Sequence, residues 1–174
     1  MDVKEQKILI AIAEGYHDHE FWFPYYRFRE AGAQVIVVGP QKGSVLGEGR
    51  HGKDGLRAEV EYTTKEAAQM DFDGLFLTGG IFGPLALRAD PSTMDIVKKA
   101  DEMGKWIGAI CHAPWILISA GVVAGRRISC PFDMACDLTA AGGIYVPHGA
   151  VQDGNLYTAE YFRYLPELFQ LILA

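Results

Sequence analysis

The chain lacks a long apolar run, a cysteine framework and a cluster of basic residues, and each absence excludes a class of protein. No apolar run in the 174 residues approaches the roughly 18 that a membrane span requires. The three cysteines have no framework spacing, which is typical of free thiols in a reducing compartment. A net charge of −6 without clustered Lys and Arg argues against nucleic-acid binding. We therefore expect a soluble, cytoplasmic protein whose partners are small molecules or other proteins, with no nucleic-acid or membrane partner.

The sequence also lacks a P-loop and a set of metal ligands with suitable spacing. Residues 39–55 contain six glycines, which indicates a long surface loop with room for a short hairpin. His17, Asp18 and His19 could ligate a metal, but consecutive positions rarely supply the geometry of a closed site. Substrate contacts by His17 and His19 are the other interpretation. We expect neither a metal nor another cofactor.

Four near-continuous apolar runs indicate strands that are buried on both faces of a parallel sheet. These runs are residues 7–13, 33–38, 73–78 and 105–110. Between the first two, aromatic side chains recur at helical spacing over a segment that includes Pro24. The first 15 residues predict a strand and no signal peptide. The alternation of strands and helices predicts a three-layer αβα sandwich in a single domain of residues 1–174.

Weaker patterns place the remaining elements. After a loop that ends at Pro91, we expect Ser92 to cap a helix that carries Ile96, Ala100 and Met103 on one face and ends at Gly104. Other expected elements are an extended piece at 58–63, helices at 65–70, 114–121, 133–141 and 165–173, and a hairpin of residues 150–153 and 156–159.

The segment GAICHAPW, residues 108–115, carries the main chemical signal. Ligands of open α/β sheets bind beyond the carboxyl ends of the strands, and Cys111 directly follows such an end. Ala109 and Ala113 flank it in the small-x-nucleophile-x-small spacing of a strand-to-helix elbow. A helix N-terminus there would favour the thiolate and bind an oxyanion, with the N–H groups of Gly79 and Gly80 completing the cradle.

Plainer interpretations of these residues stay open at this point. A free cysteine is commonly a buried apolar filler, and His112 could shape the pocket rather than act as a general base. Taken alone, Glu20 is best interpreted as an exposed carboxylate that stabilises a helix start. Cys130 and Cys136 are expected to fill space, and His148 to lie on the surface.

The segment WIGAICHAPWILISAGVVAGRRIS resembles the nucleophile elbow of the ThiJ/PfpI superfamily, which has the class I glutamine amidotransferase-like fold. The resemblance extends over nearly the whole chain, includes Glu20 and the Gly79-Gly80 pair, and is strongest to the PfpI-like branch. It implies a flavodoxin-like sheet, Cys111 as the nucleophile, His112 as its partner and Glu20 as a buried acid that hydrogen-bonds the sulfur. Members commonly form dimers or larger rings, so we expect a homo-oligomer.

The chain departs from the protease-like members, which carry an acid after the glycine pair that completes a triad across a subunit interface. Here Leu85 follows Pro84. The resemblance therefore favours a cysteine-dependent hydrolase, or a glyoxalase-, deglycase- or hydratase-like lyase, acting on a small electrophilic substrate. His17, His19 and Trp115 are the expected substrate contacts beside Gly79 and Gly80. The alternatives are a redox-sensing stress protein in which Cys111 is oxidised, an intracellular protease or amidase, and a scaffold with a vestigial elbow.

Overall fold

The computed structural model describes residues 2–49 and 55–174, and its centre is a seven-stranded sheet between two layers of helices. The strands are β1 (Lys7–Ala11), β2 (Gln34–Gly39), β3 (Gly43–Leu46), β4 (Arg57–Val60), β5 (Tyr62–Thr63), β6 (Gly74–Leu77), β7 (Trp106–Ile110), β8 (Arg127–Ser129), β9 (Ile144–Val146), β10 (Ala150–Asp153) and β11 (Leu156–Ala159). The helices are α1 (Asp18–Glu30), α2 (Thr64–Ala67), α3 (Phe82–Arg88), α4 (Pro91–Glu102), α5 (Pro114–Ala120), α6 (Ala135–Ala140) and α7 (Leu165–Ile172). Short 3₁₀ turns cover Phe132–Met134 and Phe162–Tyr164.

The sheet order is β10-β11-β7-β6-β1-β2-β5, and only β10 is antiparallel to its neighbour. The carboxyl ends of β1, β6 and β7 therefore meet at one edge of the sheet. This arrangement confirms the predicted mostly parallel, flavodoxin-like sheet.

Alternate side chains of the strands pack into two separate apolar cores, one on each face of the sheet. Leu9 of β1 packs with residues of α4 and α5, whereas Ile8 and Ile10 pack with residues of α1 and α7. Burial of an aliphatic side chain of this size stabilises the fold by roughly 1.5–3 kcal/mol, which explains why the central strands are apolar throughout. None of the helices among the described residues is long and apolar enough to cross a membrane.

The structure corrects the expected start of α4. Its cap is Asp90, whose side chain accepts a hydrogen bond from the backbone N–H of Thr93 at 2.9 Å, and Pro91 occupies the first helical turn. Ser92 is therefore inside the helix, because proline at the first position moves the cap one residue earlier. Met103 is 57% exposed and does not join the buried face.

Other differences concern short elements. Residues 82–88 form α3, although a loop is predicted there because Gly83 and Pro84 are poor helix formers. The parallel pair of β8 and β9 has no strong sequence pattern, since each strand has only three residues. The hairpin allowed for in residues 39–55 is formed by β3 with the more distant β4, and residues 50–54 lie outside the described part of the chain.

Candidate active site

The elbow after β7 has the strained backbone that its spacing predicts. Cys111 has a φ of 59°, in the left-handed region that residues with a β-carbon rarely occupy. Its N–H donates to the carbonyl of Ala159 at 2.9 Å, which ties the turn to the neighbouring strand. The Cys111 side chain lies at the carboxyl edge of the sheet and is 6% exposed. Strain of this kind persists only where the surrounding structure enforces it, and it is common at functional sites.

Glu20 lies in the first turn of α1 and is completely buried beside this elbow. A β-carbon built on Gly79 would overlap Glu20 Oε2 and lie 2.6 Å from Cys111 Cβ, so only glycine allows the carboxyl and the cysteine to approach here. The exposed carboxylate expected from the residues alone is wrong. The side chain points into the sheet edge, as the family resemblance implies.

The pKa of Glu20 shows which form the buried carboxyl takes. Burial and the nearby Glu48 carboxylate raise its pKa to about 8, although a hydrogen bond with Cys111 acts in the opposite direction. Glu20 is therefore mostly protonated at neutral pH and can donate a proton to a developing anion. A buried, protonated carboxyl beside the sulfur is compatible with the acid that the family resemblance implies at Glu20.

The thiol of Cys111 differs from the thiolate expected at a helix N-terminus. Burial raises its pKa, the charge of Glu20 raises it further, and the backbone N–H groups of Gly80 and His112 only partly oppose this shift. α5 begins at Pro114, three residues after the sulfur, and burial outweighs the backbone N–H groups that lower the pKa. A raised pKa favours the thiol form of Cys111 over the thiolate.

A suitable base lies within contact distance. His112 Nδ1 is 3.3 Å from Cys111 Sγ, and His112 Nε2 is 3.1 Å from Asp133 Oδ2. A carboxylate only accepts hydrogen bonds, so Nε2 carries the imidazole proton and the Nδ1 lone pair faces the thiol. Cys111, His112 and Asp133 therefore form a continuous chain of thiol, imidazole and carboxylate within one polypeptide.

Trp115 also contacts the imidazole of His112. Its ring packs on His112 with the ring centroids 4.8 Å apart, and its Nε1 donates to Asp137 at 3.1 Å. This residue is predicted as a substrate contact, and the structure places it where it restricts the rotation of His112.

His17 and His19 stack on the same face of Phe162, with ring centroids 5.2 Å from it in each case. The N–H of His17 donates to the carbonyl of Gly79 at 3.0 Å, which joins this cluster to the glycine pair. Burial lowers the pKa of His17 and favours its neutral form. The described residues contain no group of three or more His, Cys, Asp or Glu with the geometry of a metal site.

Two acidic residues near Cys111 have no sequence signal that identifies them. Asp133 lies 22 positions after the cysteine, in a 3₁₀ turn, and Glu48 belongs to the glycine-rich segment that the sequence predicts as a surface loop. Glu48 Oε2 accepts from the N–H of Ile81 at 3.3 Å, directly after the glycine pair. Neither acid is close to Cys111 in sequence, so only the folded chain brings them near the cysteine.

The two other cysteines and His148 differ in their exposure. Cys130 is buried, as expected, whereas Cys136 is exposed and does not fill space. His148 is exposed, as expected, and its Nδ1 lies 3.3 Å from a carboxylate oxygen of Glu160.

Comparisons with known proteins identify the family to which the chain is similar. A sequence model of the DJ-1/PfpI family matches residues 6–174. The chain is 36% identical to the deglycase TK1284 of Thermococcus kodakarensis over 149 residues, 86% of each protein. It is 32% identical to protein/nucleic acid deglycase 2 of Escherichia coli over 148 residues, 85% of this chain and 84% of that protein. The crystal structure of Drosophila melanogaster DJ-1beta superposes with a TM-score of 0.88 and 26% identity, covering 97% of this chain and 89% of that one.

Proposed function

Because the chain belongs to the DJ-1/PfpI family, we propose that it is a cysteine-dependent deglycase that removes small carbonyl adducts from amines or thiols. The deglycase names of its relatives support an enzyme of the hydrolase or lyase type in general. The observation that carries the finer proposal is the position of Cys111, on a strained turn between a buried proton donor and a histidine base. This arrangement supports attack on an electrophilic carbon.

In the first step, His112 Nδ1 takes the thiol proton of Cys111, and Asp133 stabilises the imidazolium through Nε2. The sulfur attacks the carbinol carbon of an α-oxoaldehyde adduct, so that a C–S bond forms and the C–N or C–S bond to the adducted group breaks. His112 returns the proton to the leaving group. The product of this step is a hemithioacetal on Cys111 and a free amine or thiol.

In the second step, a proton moves between the two carbons of the bound fragment, which converts the hemithioacetal to a thioester without an external oxidant. With a pKa of about 8, Glu20 has a minor ionised fraction at neutral pH, and this carboxylate takes the proton from one carbon and returns it to the other. Water then adds to the thioester with His112 as base, the C–S bond breaks, and a hydroxy acid leaves. The N–H groups of Gly80 and His112 support the oxyanion of this step.

The direct test uses a methylglyoxal adduct of N-acetylarginine amide that has been separated from free aldehyde. We expect the wild-type protein to release lactate and the free guanidine, and Cys111→Ala to release neither above the uncatalysed rate. Cys136→Ser is the matched control and should retain full activity, because Cys136 is exposed and its Sγ contacts the backbone carbonyl of Asp133 rather than the carboxylate that faces His112. Equal product formation by wild type and Cys111→Ala would rule out the proposal.

Amide hydrolysis is the second candidate, and Asp133 is the observation that favours it. The sequence lacks the expected acid after Pro84, but Asp133 supplies a carboxylate to His112 from the same chain. Turnover of fluorogenic peptides that depends on both Cys111 and Asp133, without lactate release from the adduct, would select this function. Redox sensing stays an alternative, and selective oxidation of Cys111 by mild peroxide, without turnover of the adduct, would select it.

A further inference from the structure

Glu48 is a second carboxylate at the candidate active site, on the opposite end of the glycine pair from Glu20. A β-carbon built on Gly80 would lie 3.2 Å from Glu48 Oε2, and one built on Gly79 would lie 2.6 Å from Cys111 Cβ. The N–H of Glu48 donates to the carbonyl of Tyr16 at 2.8 Å, and its carboxylate accepts from Ile81. These two backbone contacts fix Glu48 beside Gly80, and Cys111 packs against the preceding residue, Gly79.

The segment that carries Glu48 is anchored separately. Asp18 accepts from the N–H of Gly49 at 2.9 Å and from the N–H of Leu56, on either side of the undescribed residues. Glu48 is therefore held by the fold rather than by a partner side chain. Within residues 2–49 and 55–174, no Lys or Arg nitrogen lies within 4.0 Å of its carboxylate.

Glu48 places a carboxylate near Cys111, whereas the nearby Glu20 is mostly protonated at neutral pH. The Glu48 charge raises the pKa of both Glu20 and Cys111, and His112 lowers the pKa of Glu48, which agrees with a position of the Glu48 carboxylate close to these groups. An anionic substrate would be repelled from this site, whereas a cation beside the reacting carbon would be attracted.

We propose that Glu48 selects electrophiles that carry a positive charge, and that a guanidinium adduct is the substrate class that it fits. A guanidinium presents two parallel N–H donors to a carboxylate and keeps its charge at any physiological pH. The assignment of a substrate class rests on the proposed deglycase function. The electrostatic role of Glu48 at Cys111 does not depend on it, so the two are tested separately.

The electrostatic test measures the rate at which Cys111 reacts with methanethiosulfonates of opposite charge, the aminoethyl cation and the sulfonatoethyl anion, in a Cys130→Ser, Cys136→Ser background. The ratio of the two rates cancels the reactivity of the thiol itself. We expect Glu48→Gln to lower the cation-to-anion ratio about tenfold and Glu48→Lys to lower it further, with both effects weaker at high salt. Glu14→Gln is the matched control, because Glu14 also accepts a backbone N–H, that of Leu46, but lies outside this group of charges.

The substrate test compares kcat/KM for methylglyoxal adducts of N-acetylarginine amide and N-acetylcysteine amide. We expect the ratio of the first to the second to fall about tenfold in Glu48→Gln and to stay constant in Glu14→Gln. A labelling ratio that Glu48→Gln leaves unchanged overturns the electrostatic role, and an unchanged kcat/KM ratio overturns the substrate class. If the wild type turns over neither adduct, the deglycase function fails, and the labelling ratio still decides the role of Glu48.

Discussion

At the scale of single residues, Glu20 makes the clearest prediction, because its burial couples protonation to folding. Its pKa is raised from 4.5 to about 8 in the folded chain, so between these values the folded state binds a proton that the unfolded state has released. Stability is therefore highest at acid pH and falls as pH rises through this window, at up to about 1.4 kcal/mol per unit. Glu20→Gln cannot make this contribution. We therefore expect its free energy of unfolding to rise relative to that of the wild type as the pH increases from 5 to 8.

Urea denaturation at pH 5, 6.5 and 8 measures the effect. The matched control is Glu14→Gln, whose exposed carboxylate should leave the pH dependence of wild type unchanged. Parallel pH profiles for wild type and Glu20→Gln would show that the buried carboxyl is not protonated in the folded state.

Asp133 makes a second prediction at this scale. Asp133→Asn keeps the size of the side chain but removes the charge that stabilises the His112 imidazolium, so we expect kcat/KM to fall about tenfold. The loss should be well below the ~10⁴-fold effect of removing a buried triad acid, since the Asp133 side chain is 68% exposed and water can replace it in part. Asp137→Asn tests specificity, because Asp137 lies on the same segment but contacts Trp115. Equal losses in the two variants would argue against a role through His112.

At the scale of elements, the approach of α1 to the elbow depends on Gly79. In Gly79→Ala, the added methyl group would overlap the Glu20 carboxyl and crowd Cys111, so we expect a loss of about 1–3 kcal/mol in stability and of most activity. Gly121→Ala is the control for backbone strain alone, since Gly121 has a φ of 77° and no atom within 4 Å of its β-carbon position. It should lose stability but keep kcat. Wild-type kcat in Gly79→Ala would mean that the contact between α1 and the elbow has no role in turnover.

The sequence predicts elements well where a pattern is local. The buried strands follow from uninterrupted Ile and Val, and the turn at Cys111 follows from two flanking alanines. Short elements such as α3 and β8 escape prediction, because packing rather than local preference determines them. In the site, Cys111 follows from the elbow spacing, and His112 and Glu20 are implied by the family resemblance. Asp133 and Glu48 depend on tertiary contacts that one sequence does not reveal.

At the scale of the whole molecule, self-association stays a prediction. The outer face of α1 exposes Phe23 and Tyr26, at 39% and 60%, beside Leu56 at 56%. These three residues border one largely apolar groove of about 470 Å³. We expect sedimentation equilibrium to give the mass of a dimer or larger assembly for wild type, and Tyr26→Lys to weaken it. A monomer at micromolar concentration would contradict this expectation.

The central claim is that Cys111 forms a covalent bond with the substrate carbon during turnover. Rapid-quench mass spectrometry of the protein with the arginine adduct tests it most directly. The account predicts that the peptide containing Cys111 gains the mass of the carbonyl fragment, and that this species forms and decays at rates compatible with kcat. Turnover at full rate with no mass on Cys111, or with the mass only on the exposed Cys136, would contradict it.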